Sequence, residues 1–87
     1  MSATALVYGM AITGQALARA LHDRGYRVLV ADDAPNDVKA ASAGAVGAEL
    51  VSSPVDDALE RLVAAADIVC PAPGVPETHR LIAAALR

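Results

Sequence analysis

The chain has 87 residues, the length of one domain, and 55% of them are hydrophobic, enough for a mainly aliphatic core. A net charge of -3, the lack of any Lys- or Arg-rich run, and only two Tyr with neither Phe nor Trp argue against nucleic-acid binding. One cysteine excludes an internal disulfide, and without a signal peptide or a membrane-length apolar run we expect a cytoplasmic protein with no membrane partner.

Short apolar runs bounded by Gly or Pro predict strands, and apolar residues at helical spacing predict helices. In chain order, the predicted elements are strand 4–8, helix 13–24, strand 27–31, a weak helix up to 43, strand 49–52, helix 54–66, strand 67–70 and a last helix from 77 or 78. Gly25 is expected to end the first helix in a left-handed conformation. Ser53 and Pro54 are expected to open the third helix as its cap and first residue.

Alternating strands and helices predict an α/β fold, a Rossmann-like open parallel sheet of about four strands with helices on both faces. The whole chain, 1–87, is expected to form this single domain, with strand order 3-2-1-4. Ligands of such sheets bind where the strand order reverses, here between strands 1 and 4. The loops 9–14, 32–34 and 71–76 should therefore surround one crevice.

The first loop reads Gly-x-Ala-x-x-Gly. Gly9 allows a tight turn out of the strand, and Gly14 allows the helix to pack closely on it. Ala11 stands where dinucleotide-binding turns have a second glycine. The amides of Ile12 and Thr13 begin the helix and can donate to a phosphate. The alternative is that the glycines serve only the turn, but a strand before and a helix after favour an anionic ligand.

Two acids follow the second strand. Asp32 can accept from ribose hydroxyls or from a base N–H, and a purely structural role is equally compatible with the sequence. Asp33 is either a second acceptor or, as the pattern favours, a turn residue before Pro35. The proline-rich loop 71–76 either lines the crevice with its backbone amides or, as the pattern favours, is only a stiff connector.

Catalytic machinery is missing from the pattern. The sequence has no Gly-Lys-Ser/Thr phosphate loop, no metal-ligand spacing and no Ser/His/Asp set, so we predict no catalytic and no metal-binding residue. The chain alone is expected to bind and not to catalyse. A stand-alone NAD-binding module of a dehydrogenase or regulator, and a protein–protein interaction domain, remain as alternatives.

Three stretches, 7–14, 28–33 and 66–76, together resemble the N-terminal domain of the Mur ligases that add D-glutamate in peptidoglycan synthesis. The pattern of that family is a Gly-x-Gly-x-Thr-Gly turn, an Asp after the second strand, and a Ser-Pro-Gly loop. Ala11 replaces the second glycine here, Ala72 replaces the serine, and Ala34 stands where some members have a basic residue.

The resemblance implies that the chain binds the UDP part of UDP-N-acetylmuramoyl-L-alanine. Ile12 and Thr13 would hold the diphosphate, Asp32 would bond the uracil, and Pro73 and Gly74 would flank the uridine. The implied UDP-binding residues are Gly9, Ala11, Ile12, Thr13, Gly14, Asp32, Asp33, Pro73 and Gly74.

The resemblance also implies a larger parent enzyme. That enzyme would be a three-domain, ATP- and Mg-dependent amide-forming ligase, whose central ATPase domain and C-terminal domain are partners of this one. We expect no cofactor in this chain, and we expect the chain alone to be inactive.

Overall fold

A four-stranded sheet forms the centre of the molecule in a computed structural model, which describes residues 3–73, 75 and 79–86. The elements are β1 (Thr4–Tyr8), α1 (Ile12–Asp23), β2 (Arg27–Asp32), α2 (Asp37–Ala45), β3 (Leu50–Ser52), α3 (Asp56–Ala65), β4 (Ile68–Pro71) and α4 (Arg80–Ala85). The strand order is β3-β2-β1-β4, and every pairing is parallel. The predicted α/β fold and its strand order are confirmed.

The central strand β1 is the most deeply buried, with residues 5–8 at most 1% exposed. Successive side chains of a strand point to opposite faces of the sheet. Val7 packs in a cluster with residues of α1 and α2, whereas Leu6 and Tyr8 pack in a cluster with residues of α3 and α4. The helices therefore cover both faces, and among the described residues Tyr8 is the one aromatic that is fully buried in the core, with Tyr26 packed partly buried against it.

Two helix termini, the end of α1 and the start of α2, are formed by residues whose type favours that position. Gly25 has a φ of 90° after α1, and its amide donates to the His22 carbonyl at 3.0 Å, as expected of a left-handed terminator. The Asn36 side chain accepts from the Lys39 amide at 2.9 Å and so caps α2. None of the described helices combines the length and hydropathy needed to span a bilayer.

The start of α3 differs from the prediction. The helix begins at Asp56 after Val55, and no side chain caps it. The Ser53 amide donates to the Asp32 carbonyl at 2.9 Å, and its hydroxyl donates to the Asp33 carbonyl at 3.2 Å. Because the end of β2 occupies both groups of Ser53, this serine extends the strand pairing instead of opening a helix.

Candidate functional site

A cleft of about 260 Å³ opens at the carboxyl edge of the sheet, between the ends of β1 and β4. Its walls come from all three predicted loops: Tyr8, Gly9, Ala11, Asp32, Asp33, Ala34, Ala72, Pro73, Val75 and His79. A larger groove of about 340 Å³ lies beside the first half of β2, which the short strand β3 does not cover. Parallel α/β sheets bind ligands at the carboxyl ends of their strands, so the cleft between β1 and β4 is the candidate site.

The turn from β1 into α1 needs both of its glycines. Gly9 has a φ of 99°, and a Cβ placed on it would lie 3.2 Å from the Ala72 Cβ. A Cβ on Gly14 would overlap the carbonyl oxygen of Gly9. The predicted close packing at Gly14 is therefore observed, and Ala72 is buried directly against this turn.

The backbone amides in the first turn of α1 are not capped by the side chain at the N-cap position. Ala11 occupies the cap position in an extended conformation and makes no side-chain capping bond, and no acidic residue lies in the first turn. The amides that open an α-helix have no acceptor within the helix, and their positive end attracts anions. Ile12 and Thr13 are exposed next to the cleft, so their amides are placed to meet an anionic group.

Asp32 connects the first loop to the second. It is 5% exposed; its Oδ2 accepts from the Met10 amide at 2.6 Å, and its Oδ1 accepts from the Ala34 amide at 2.6 Å and from Lys39 Nζ at 3.1 Å. Burial by itself would raise the pKa of Asp32, but the two amides and Lys39 outweigh it and lower that pKa. The carboxylate is thus held ionised and shapes the rim of the cleft.

Asp33 is the centre of a second network, which we call the Asp33 cluster: Tyr8, Asp33, His79 and Arg80. Oδ1 of Asp33 accepts from the Tyr8 hydroxyl at 2.6 Å and from Arg80 Nη2 at 2.5 Å, and Oδ2 lies 2.7 Å from His79 Nε2. Burial would raise the pKa of Asp33, but the bonds from Tyr8, His79 and Arg80 lower it to about 2. Asp33 is therefore more than a turn residue.

The other members of the Asp33 cluster are fixed in turn. Burial, followed by the bond to Asp33, raises the pKa of the Tyr8 hydroxyl. The Tyr8 oxygen also accepts from Arg80 Nη2 at 2.9 Å, and Arg80 Nε donates to the Pro54 carbonyl at 3.0 Å. Nδ1 of His79 accepts from the Leu81 amide at 3.0 Å, so we assign the ring proton to Nε2, which donates to Asp33.

The structure brings together most of the predicted site residues. Five of them line the cleft: Gly9, Ala11, Asp32, Asp33 and Pro73. Ile12, Thr13 and Gly14 lie in α1 beside it, and Gly74 is outside the described residues. Tyr8, Lys39 and His79 are not among the predicted site residues, although Tyr8 and His79 line the cleft and the His79 side chain is only 9% exposed. Tyr8 was predictable as the last residue of a strand that ends at the site; Arg80 carried no such signal.

No known family model matches the chain. The chain is 42% identical, over 81 residues and 91% of its length, to UDP-N-acetylmuramoylalanine--D-glutamate ligase of Dechloromonas aromatica (strain RCB). It spans 17% of the length of that relative. The resemblance that the three sequence stretches predict is thereby confirmed: over nine-tenths of its length, this chain is similar to a D-glutamate-adding ligase.

Proposed function

We propose that the chain binds the UDP part of UDP-N-acetylmuramoyl-L-alanine, as the N-terminal domain of a D-glutamate-adding ligase. One observation carries the proposal. The three loops that carry the resemblance lie at one cleft, at the point where the strand order reverses. The similarity to a ligase whose name contains UDP-N-acetylmuramoylalanine supplies the ligand class.

The cleft and the helix start beside it suit the two parts of a uridine diphosphate. Beside the cleft, the open amides of Ile12 and Thr13 provide the donors and the positive helix terminus that a diphosphate needs. Within the cleft, the acid pair at the end of β2 provides an acceptor for the uridine. A volume of about 260 Å³ is small for a ligand pocket, so the cleft takes the nucleoside and leaves the N-acetylmuramoyl-alanine part outside.

In the parent enzyme, ATP and Mg would bind a central ATPase domain, where the muramoyl-alanine carboxylate would take the γ-phosphoryl group of ATP to become an acyl phosphate and ADP would be released. The amine of D-glutamate, held by a C-terminal domain, would then attack the acyl carbon, forming the amide bond and releasing inorganic phosphate and a proton. The present domain would hold the nucleotide end of the substrate in the cytoplasm and contribute no catalytic group.

An NMR titration tests the binding proposal. UDP added to the ¹⁵N-labelled chain is expected to shift the amides of 12–14, 32–34, 72 and 75, and NAD at equal concentration to shift them less. Uridine and inorganic pyrophosphate, titrated separately, should each reproduce one part of the pattern. Larger shifts with NAD, or UDP shifts confined to the groove beside β2, would contradict the proposal.

A further inference from the structure

The two adjacent acids at the end of β2 differ in how accessible their remaining acceptor site is to a ligand. An ionised carboxylate has about four lone-pair sites. Asp32 uses three of them on internal donors, and its side chain is only 8% exposed. Asp33 also uses three, two on Oδ1 and one on Oδ2, but its side chain is 43% exposed and lines the cleft. Asp33 thus keeps one acceptor site within reach of a ligand.

The surroundings of Asp33 suit a flat ring better than a hydrated sugar. Apart from the acids and the two rings of Tyr8 and His79, the residues of the cleft walls are small and apolar. They include Ala11, Ala34, Ala72, Pro73 and Val75. A planar base placed between such walls loses its contact with water, so each of its N–H groups needs a protein acceptor. Uracil has one such group, the imide N3–H.

From this geometry we propose that Asp33, and not Asp32, accepts the N3–H of uracil, and that Arg80 is the positioning residue that holds Asp33 for this contact. The inference rests on the proposed function and deepens it. Asp32 then has a different task, which is to hold the Met10 and Ala34 amides and thereby the shape of the rim.

Arg80 reaches Asp33 with a geometry that other side chains do not reproduce. Its Nε is anchored on the Pro54 carbonyl, and its Nη2 contacts both the Tyr8 hydroxyl and Asp33 Oδ1. The guanidinium therefore joins the β3–α3 loop to the ends of β1 and β2. A lysine at this position has a single nitrogen on a flexible stem and cannot hold all three acceptors in one plane.

The experiment compares ligands that differ in one donor. UDP, 3-methyl-UDP (no N3–H) and 2′-deoxy-UDP are titrated by NMR into the 87-residue chain and into the Asp33→Asn, Asp33→Ala, Asp32→Asn and Arg80→Lys variants. Asp23→Asn, at the far end of α1, makes the same charge change outside the cleft and is the matched control. The amide spectrum of each variant shows whether it is folded.

For the unaltered chain and Asp23→Asn, N3-methylation is expected to weaken binding about ten-fold or more, as expected for a lost hydrogen bond to a charged group. In Asp33→Asn an N–H replaces one oxygen, so UDP should bind about ten-fold more weakly and the effect of methylation should disappear. Asp33→Ala should give the same result, which keeps the test valid if one of the two variants does not fold. Asp32→Asn should retain the effect of methylation.

Arg80→Lys is expected to reduce the effect of N3-methylation and to leave the affinity for inorganic pyrophosphate unchanged. A general loss of structure would instead weaken the binding of both ligands. The proposal is overturned if UDP binds but the effect of methylation persists in both Asp33 variants, if it is lost in Asp32→Asn instead, or if the 2′-deoxy ligand alone loses affinity. If UDP shifts no cleft amide in the unaltered chain, the proposed function itself fails, and the inference fails with it.

Discussion

At the scale of single residues, the cleft is held together by two charged pairs that have different surroundings. Asp32 and Lys39 are mostly buried, and backbone amides donate the other hydrogen bonds that the Asp32 carboxylate accepts. Asp33 and Arg80 are about 40% exposed, and the Tyr8 and His79 side chains donate the other hydrogen bonds to the Asp33 carboxylate. Because solvent screens an exposed pair more than a buried one, the two acids should respond differently to substitution.

Asp32→Asn tests the buried acid. An asparagine has one carbonyl oxygen, so it cannot accept from the Met10 amide on one side and from Ala34 and Lys39 on the other. We expect a loss of about 1 to 3 kcal/mol in the free energy of unfolding, measured by urea denaturation. The exposed substitution Asp23→Asn is the control and should change it by less than about 0.5 kcal/mol. Equal stability of the two variants would contradict the structural role of Asp32.

The pH dependence of stability tests Asp33. The pKa of Asp33 is lowered from 3.8 to about 2 in the folded chain, so its carboxylate binds protons more weakly folded than unfolded. Its contribution is complete above about pH 4 and is lost as the pH falls through about 2. Asp33→Asn should therefore give a flatter stability profile than the unaltered chain between pH 4 and pH 2. Parallel profiles in this window would show that the cluster does not hold the carboxylate as described.

At the scale of elements, the local sequence predicts the end of a helix or strand well where a single residue sets the backbone conformation. Gly25 ends α1 as predicted, because few other residues take a φ of 90° easily. Ser53 does not cap α3, because its amide and hydroxyl donate to the carbonyls of Asp32 and Asp33, about 20 residues earlier in the chain. The helix α2, predicted to end at residue 43, continues through Gly44 to Ala45. The local residue type therefore predicts where a helix begins or ends only if no acceptor from a distant part of the chain takes the hydrogen bonds of that residue.

Gly14→Ala tests the contact between α1 and the first turn. The new methyl group would overlap the Gly9 carbonyl, so the helix must move away from the sheet at a cost of about 3 kcal/mol or more. Gly44→Ala is the matched control, because nothing lies near a Cβ at that helical position. It should stabilise the chain by about 0.5 to 1 kcal/mol. Urea unfolding of both variants gives the comparison, and a neutral Gly14→Ala would disprove the close packing.

Thr13→Glu tests whether the start of α1 receives the diphosphate. A carboxylate in the first turn would bond the helix amides itself and repel phosphate, so UDP binding should weaken about ten-fold or more. Ala20→Glu adds the same charge to an exposed position nearer the end of this helix and should leave UDP binding within about two-fold of the original. Both affinities come from NMR titration. Similar losses in the two variants would indicate a general effect of charge and contradict a local site.

At the scale of the whole molecule, sequence reasoning located the cleft but not its polar network. The alternation of strands and helices predicts a parallel sheet, and the expected 3-2-1-4 order, which the structure confirms, places the site between β1 and β4. The Asp33 cluster depends on which side chains of α4 reach the ends of β1 and β2, and Arg80 is 47 residues from Asp33 in sequence. No local sequence pattern predicts a contact between residues so far apart in the chain. The sequence therefore predicts the position of the site better than its hydrogen bonds.

The central position of β1 has a consequence for synthesis of the chain on the ribosome. Thr4 bonds Asp67 in both directions, 63 positions apart: the Thr4 amide donates to Asp67 Oδ2, and the Asp67 amide donates to the Thr4 carbonyl, each at 2.7 Å. The strand translated first thus keeps one unpaired edge until β4 has been made and has left the exit tunnel. Nascent chains arrested before residue 68 should consequently be sensitive to protease and bind chaperones, because one edge of the central strand stays open until this long-range pairing forms.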